Sequence, residues 1–259
     1  FLFWANPAVH VDSSYQVIFP PSVQYVTFHA KRDMTTWPIA DGWFNGYDFA
    51  DVDVSLWKNT HIPSSYFSWD PKEGYFGGYD HNKQAGTAWI GNRYICPGMK
   101  FWADGNNAAG RLINSGLTDN NTQYIELMAG MYTDNQPDYS WIQPYESKVG
   151  TMIWFPIREL GGLKFANRNG ALNLEIENNT ILVRMNTTSP HSGAKATLLA
   201  KGKQLMEQRI DIDPARPFAA DIALPAGIVE DDLEVALTSA SGAQLMYFSP
   251  VKHHPPAEP

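Results

Sequence analysis

Short stretches in which apolar and polar residues alternate recur along the whole chain of 259 residues. No stretch longer than about ten residues carries the 3.6-residue repeat of an amphipathic helix. Alternation of this kind is typical of β-strands that bury one face and expose the other. The sequence therefore predicts an all-β protein without long helices.

The C-terminal part of the chain predicts a small β-sandwich. Seven strand candidates are separated by turn residues: 171–176, 180–185, 195–200, 205–212, 218–224, 233–238 and 244–248. Seven short strands with turns about every 8–12 residues are typical of an immunoglobulin-like module. Residues 227–232 add at most a short helical turn.

Residues 1–160 also predict strands, and they carry most of the aromatic side chains. All 9 Trp, 11 of the 12 Tyr and 10 of the 13 Phe lie there. The strand candidates, chosen for alternation or for β-branched and aromatic residues, are 15–19, 23–28, 88–90, 123–128 and 150–157. Residues 31–71 mix aromatic residues with Gly, Pro, Asp and Ser, which favours a long ordered loop that shapes a binding site.

The change in aromatic content along the chain predicts two domains. Two glycines interrupt the pattern within 159–163, and we place the boundary there. The predicted domains are 1–162 and 163–250, followed by a proline-rich linker at 251–259. Since the chain starts with neither an initiator Met nor a signal peptide, we expect it to be a piece of a longer protein.

Charge and cysteine content exclude several classes of function. Nineteen Lys and Arg against 27 Asp and Glu give a net charge of −8, which disfavours nucleic acid and anionic membranes as partners. No apolar run is long enough to span a bilayer. The single Cys96 rules out an internal disulfide framework and leaves the compartment, periplasm or cytoplasm, open. Asp48, Asp51 and Asp53 lack the spacing of an EF-hand calcium loop, so neither a metal nor another cofactor is predicted.

Glu126 is the first candidate for chemistry. On a strand it projects on the same face as Tyr124 and Met128, an amphipathic lining that would partly desolvate the carboxylate and suit a general base. The alternative is a solvent-facing glutamate on an open sheet.

Two further candidates sit in surroundings that favour a structural explanation. Asp80 and His81 follow two glycines and precede Asn82, so they occupy a tight turn in which such residues hydrogen-bond their own backbone. His10 precedes the first clear strand, where a single histidine is more often structural than catalytic.

The order of these motifs resembles a known family. Asn6 and His10, then Asp80-His81-Asn82, then Glu126, and finally the closing stretch 150–157 resemble the C-terminal half of the galactose mutarotase (aldose 1-epimerase) superfamily. Residues 1–160 are still more similar to a bacterial branch in which a mutarotase-like domain and a small β domain precede tetratricopeptide repeats. The resemblance implies a partial mutarotase supersandwich followed by an immunoglobulin-like sandwich.

The resemblance also implies roles for three residues. Glu126 would be the general base that takes the proton of the anomeric hydroxyl, and His10 the general acid that protonates the ring oxygen. Asp80 would hold the sugar hydroxyls and orient the ring. Ring opening removes one proton and delivers another, which suits such a pair.

Aromatic rings beside polar side chains favour carbohydrate as the ligand. Trp and Tyr stack on the apolar C–H faces of sugars, while Asp and Asn bind hydroxyls. We expect two or three tryptophans to line a cleft and the others to be core. The predicted substrate-binding residues are Tyr79, His81, Asn82, Trp102, Asp104 and Trp141.

Three hypotheses therefore compete. The first is a carbohydrate-binding or carbohydrate-processing domain of mutarotase type. The second is a glycoside hydrolase on the same fold, in which Glu126 works with a second carboxylate such as Asp80 or Asp138. The third is a non-catalytic β scaffold for glycan or protein recognition. A half-sandwich with an exposed sheet would also favour a homodimer.

Overall fold

The computed structural model describes residues 1–250, and these form antiparallel sheets almost throughout. The predicted all-β class is confirmed. The chain divides into two compact units, Phe1–Trp154 and the part from Phe155 onward. The predicted linker at 251–259 lies outside the described residues, and the predicted limits 1–162 and 163–250 stay predictions.

The first unit contains short strands and one α-helix among its described residues. The helix, α1 (Ala108–Leu117), starts at Asn107, whose side chain accepts a hydrogen bond from the backbone N–H of Gly110. The strands that begin in this unit are β1 (Phe3–Ala5), β2 (Ala8–Val11), β3 (Tyr15–Ile18), β4 (Tyr25–Thr27), β5 (Met34–Thr36), β6 (Trp43–Phe44), β7 (Tyr47–Asp48), β8 (Ser64–Ser68), β9 (Tyr75–Asp80), β10 (Ala85–Gly91), β11 (Gly98–Ala103), β12 (Gln123–Met131) and β13 (Met152–Arg158). Short 3₁₀ helices occupy His29–Lys31, Trp57–Asn59 and Asp119–Asn121.

Two sheets share the core of this unit. The larger sheet has the order β1-β12-β11-β8-β4-β5, and β2 also pairs with β12. The smaller has the order β13-β10-β9-β3, and β6 pairs with β7 in a separate hairpin. One side of the larger sheet carries Tyr66, Phe101, Ile125 and Leu127, each at most 1% exposed, and packs into the core with residues of the smaller sheet.

The opposite side of the larger sheet carries polar and aromatic side chains. Because alternate residues of a strand point to opposite faces, Lys100 and Trp102 of β11 and Tyr124 and Glu126 of β12 all project there. We call this side the site face, because it holds the cavity described below.

Residues 31–71 differ in part from the sequence expectation. The sequence predicts irregular structure for the whole stretch, but β8 lies fully buried in the middle of the larger sheet. Its three serines resemble loop residues in the sequence. In the fold, Tyr66 fills the core while Phe67 projects onto the site face, opposite Lys100.

The second unit follows the sequence prediction closely. Its strands are β14 (Phe165–Asn167), β15 (Gly170–Glu177), β16 (Thr180–Thr187), β17 (His191–Ala200), β18 (Lys203–Ile212), β19 (Phe218–Ala223), β20 (Leu233–Thr238) and β21 (Gln244–Phe248), with a 3₁₀ turn at Glu230–Asp232. They form two sheets of four, β14-β15-β16-β19 and β18-β17-β20-β21, around an apolar core that includes Leu174, Val183, Leu198 and Val235. Only the short β14 is missing from the seven predicted strands.

Candidate functional site

A cavity of about 660 Å³ opens on the site face at the edge formed by β2 and β12. These two paired strands and the segment that follows α1 supply its lining. The lining residues are Asn6, Ala8, Val9, His10, Leu117, Thr118, Asp119, Asn120, Thr122, Tyr124 and Glu126. Two of the three residues with predicted catalytic roles, His10 and Glu126, are among them.

The register of β2 on β12 brings these two residues together. His10 lies directly opposite Tyr124, and Ala8 lies directly opposite Glu126. Side chains that oppose each other in an antiparallel pair project on the same face. Because Ala8 is small, the half-buried Glu126 carboxylate stays open to the cavity.

Within residues 1–250, Glu126 and His10 each use one side-chain atom in a hydrogen bond and leave the other atom open. The Asn6 side-chain amide donates to Oε2 of Glu126 over 3.1 Å, and Oε1 has no partner among the described residues. Nδ1 of His10 lies 3.1 Å from the Thr122 hydroxyl, which also bonds the backbone oxygen of Asp119 over 3.1 Å. When the hydroxyl proton goes to Asp119, the imidazole donates from Nδ1 and keeps Nε2 for another partner.

Helix α1 fixes the position of Tyr124 between the two groups. The buried Asn114 side chain accepts a hydrogen bond from the Tyr124 backbone N–H over 2.9 Å and donates to Asp104 over 2.9 Å. Burial, together with the charges of Asp104 and Glu126, raises the pKa of the Tyr124 hydroxyl. The hydroxyl therefore stays protonated at neutral pH and can donate a hydrogen bond.

Asp80 does not join His10 and Glu126 in the cavity. It ends β9 on the smaller sheet, where its Oδ1 accepts hydrogen bonds from the backbone N–H groups of Asn82 and Lys83. Its Oδ2 lies 2.8 Å from the Lys83 ammonium. These are the hydrogen bonds of a turn residue. The contacts of Asp80 therefore agree with the structural explanation of the Asp-His-Asn motif.

The predicted substrate-binding residues are also dispersed. His81 and Asn82 share the turn with Asp80, and their side chains contact Gln16 and Asp12. Tyr79 is fully buried, and Asp104 lies beneath α1 on Asn114. Trp141 is 69% exposed and lies outside the lining.

The prediction that two or three tryptophans line a cleft stays a prediction, because this cavity is lined by other residues. No tryptophan is among its lining residues, and Tyr124 supplies the aromatic ring. Trp57 and Trp89 are buried in the core, as expected for most of them. Trp102 lies opposite Glu126 on the site face, next to the cavity rather than in its lining.

Sequence reasoning missed the segment 117–122 and Lys100. The segment contributes five lining residues through the turn after α1, a turn for which the polar sequence Thr-Asp-Asn-Asn-Thr is the only local signal. Lys100 lies between Met99 and Phe101, and this apolar-polar alternation is the local signal that could have placed it on a strand.

Two classes of feature are absent from residues 1–250. They contain no group of three or more His, Cys, Asp or Glu that could hold a metal ion. Within the same range, every helix is too short or too polar to cross a membrane.

Comparison with known proteins identifies the family. The fold is a two-sheet β domain with a polar cavity at one sheet edge, followed by a small β domain. The chain belongs to the family described as a domain of unknown function, DUF5107, which matches residues 1–157. Residues 165–248 match the second domain of YphG-like protein.

Solved structures give more distant matches. A tetratricopeptide-repeat-domain-containing protein from Parabacteroides distasonis is 19% identical, with a TM-score of 0.45 over 60% of this chain and 24% of that protein. A β-glucuronidase from Ruminococcus gnavus, in complex with an N1-substituted uronic isofagomine, is 10% identical, with a TM-score of 0.25 over 94% of this chain and 45% of that enzyme. The chain thus spans about a quarter of the first protein and less than half of the second.

Proposed function

We propose that the first unit is a mutarotase-like carbohydrate domain that binds an aldose in the cavity between β2, β12 and the segment 117–122. Glu126 acts as general base and His10 as general acid. One observation carries the proposal: His10 and Glu126, far apart along the chain, line one cavity beside the Tyr124 ring.

The hydrogen bonds around the pair suit proton transfer. Asn6 occupies one oxygen of Glu126 and leaves Oε1 for the anomeric hydroxyl of the sugar. Thr122 occupies Nδ1 of His10, so the imidazolium form, which carries a proton on both nitrogens, donates its Nε2 proton to the ring oxygen. Proton removal at the hydroxyl and proton delivery at the ring oxygen open the hemiacetal, and the reverse transfers close it on either face.

The other lining residues suit a sugar ligand. Tyr124 offers a ring face and a hydroxyl donor, and Asn120, Thr118 and Asp119 offer polar groups for the sugar hydroxyls. Asp80 has no part in this proposal, because its carboxylate is engaged in the β9–β10 turn.

The two competing functions are less well supported. A glycoside hydrolase needs a second carboxylate near Glu126. Neither of the two acids predicted for this role, Asp80 and Asp138, lines the cavity. The other acid in the lining is Asp119, on the segment that follows α1. A passive scaffold requires no shared cavity at all. The proposal has four further parts. They are membership of the mutarotase superfamily, an immunoglobulin-like class for the second unit, a position before tetratricopeptide repeats and a homodimer through an exposed sheet.

The test is anomer interconversion. Exchange between the α and β forms of glucose and galactose is followed by NMR with and without the chain. We expect acceleration, and we expect Glu126→Gln to reduce it by about 10²–10⁴-fold, the range of a general base. Glu177→Gln changes an exposed glutamate of the second unit and should have no effect.

The same samples are titrated with sugar. Glu126→Gln should retain binding, because the amide still offers a polar group to the ligand. Unchanged interconversion in Glu126→Gln would exclude this residue as the base, and absence of sugar binding in the wild type would overturn the carbohydrate proposal itself.

A further inference from the structure

Lys100 is a buried cation that the proposed reaction does not use. Its side chain projects on the site face and is only 3% exposed. None of the ion pairs among the described residues includes it. Its single hydrogen bond there, 2.5 Å long, goes to the neutral side-chain oxygen of Gln136. A buried ammonium ordinarily has an anionic partner, since burial without one is costly.

Aromatic rings rather than acids surround this ammonium. Nζ lies 4.6 Å from the centre of the Phe67 ring and 5.7 Å from that of Trp4. Trp4 reaches this position because it lies on Gly130, where a Cβ would come within 2.5 Å of the indole. Burial, opposed only by the charge of Glu126, lowers the pKa of Lys100 to about 8.

Several hydrogen-bond donors near Lys100 lack an acceptor in the described part of the chain. An ammonium has three N–H groups, and the Gln136 bond uses one. The buried indole Nε1 of Trp4 and the buried hydroxyl of Ser65 have no hydrogen-bond partner among the described residues. Burial and the nearby Lys100 charge lower the pKa of His29, so this neighbour adds no second positive charge at neutral pH. A group rich in acceptor oxygens would match this set.

The position of Lys100 places such a group next to the cavity. In the register of β11 on β12, Lys100 lies opposite Met128 and Trp102 lies opposite Glu126. Lys100 and Glu126 are therefore diagonal neighbours on one face, close enough for their charges to interact. A sugar held by Glu126 would extend toward Lys100.

The side-chain oxygen of Gln136 covers the Lys100 ammonium, and the same side chain also hydrogen-bonds His29. The Gln136 backbone is fixed, because its carbonyl oxygen accepts a hydrogen bond from the Ala30 N–H over 2.6 Å. The buried Asn135 strengthens this link, since its side chain accepts from the same N–H and donates to the Phe28 oxygen. The Gln136 side chain itself is half-buried and is not part of these bonds.

We propose that Lys100 recognises the acidic group, a carboxylate or a phosphate, of an anionic sugar held by Glu126. The acidic group replaces the Gln136 oxygen at the ammonium and turns a bond to a neutral amide into a stronger charge-assisted one. The inference rests on the proposed function, because the same cavity holds the sugar. Without Lys100, the carboxylates of Glu126 and Asp119 would repel such a ligand.

The test compares three sugars by calorimetric titration of the full chain at low ionic strength: glucose, glucuronate and glucose 6-phosphate. We expect at least about tenfold tighter binding of one or both acidic sugars than of glucose. The two acidic probes also show whether the group is a carboxylate or a phosphate. Equal binding of all three sugars would overturn the inference while leaving the proposed function intact, whereas no binding of any sugar would overturn both.

Variants assign the preference to Lys100. Lys100→Met should lose the preference for acidic sugars and bind glucose within about twofold of the wild type. Lys58→Met, which changes an exposed lysine, should keep this preference. A preference that survives in Lys100→Met contradicts the assignment.

Gln136→Ala tests the same point with Lys100 intact: removal of the competing oxygen should tighten the binding of the acidic sugar and leave the binding of glucose unchanged. An equal change for both sugars would mean that Gln136 acts on the fold and not on recognition.

Discussion

The two units place their polar residues differently. Among the described residues of the second unit, the buried polar ones are Asn173, Asn186 and Thr187, and the two asparagines bind backbone oxygens of nearby loops. In the first unit Asp80, Lys100 and Asp104 are buried charged groups. Buried charge costs stability, and proteins retain it mainly where it has a function. The comparison shows that the buried charged groups lie in the first unit, the unit to which we assign the proposed function.

The largest effect on stability should come from the core of the second unit. Leu198 is fully buried on β17, and Leu198→Ala should lower the free energy of unfolding by about 2–5 kcal/mol. Urea unfolding is followed in parallel by circular dichroism, which reports all strands, and by tryptophan fluorescence. All nine tryptophans lie in residues 1–160, so the fluorescence reports the first unit alone.

We expect the circular dichroism transition to move to lower urea while the fluorescence transition and sugar binding stay unchanged. An equal shift of both transitions would contradict the division into two units with separate stability.

The second prediction concerns the buried charge of the first unit. The pKa of Lys100 falls from 10.5 to about 8, so the folded state resists protonation more than the unfolded chain does. Stability should therefore rise by about 3 kcal/mol as the pH increases from about 8 to about 10.5. The buried Cys96, whose pKa burial raises from 9.0, opposes part of this rise above about pH 9, and the buried Tyr15 and Tyr66, whose pKa values burial also raises, oppose it only at higher pH.

Urea midpoints between pH 7.5 and 9.5 measure this slope. Lys100→Met should abolish it and be more stable than the wild type at pH 7.5, while Lys203→Met, at an exposed lysine of the second unit, should retain it. A slope that persists in Lys100→Met would assign the pH dependence to other groups.

The smallest effect should come from the start of α1. Asn107→Ala removes the side chain that accepts the Gly110 N–H, at a cost of about 1 kcal/mol to the helix. Since α1 leads into the segment 117–122 of the cavity, we expect faster amide exchange over 108–117 and sugar binding weakened by a few-fold. Asn107→Ser, which keeps a capping oxygen, is the control. Unchanged exchange in Asn107→Ala would show that Asn114 and its contacts hold the helix without the cap.

The second unit was easier to predict than the first for a physical reason. Its strands alternate strictly around one apolar core and end at clear turn residues, so each of the seven predicted segments matches an observed strand. In the first unit β9 contains two glycines that suggest a turn. They belong to a strand because Gly78 packs against the Tyr15 ring, where a Cβ would lie 2.2 Å from the hydroxyl.

The candidate site was only partly predictable. The order of motifs places His10 and Glu126 in one site, and both line the cavity. The same order includes Asp80, which ends β9. The position of Asp80 depends on the sheet that β9 joins, and the local alternation of residues does not reveal that pairing. Lys100 escaped attention because a lysine on a strand is ordinarily solvent-facing, and only the tertiary structure encloses it.

The pairing of β1 and β2 with β12 has a consequence for biosynthesis. Residues 3–11 emerge from the ribosome before their partners, which lie at 123–131. These two strands must wait without their hydrogen-bonding partner until more than a hundred further residues have been translated. The cavity is thus completed late in synthesis, and a nascent chain that stops before β12 would carry His10 without Tyr124 and Glu126.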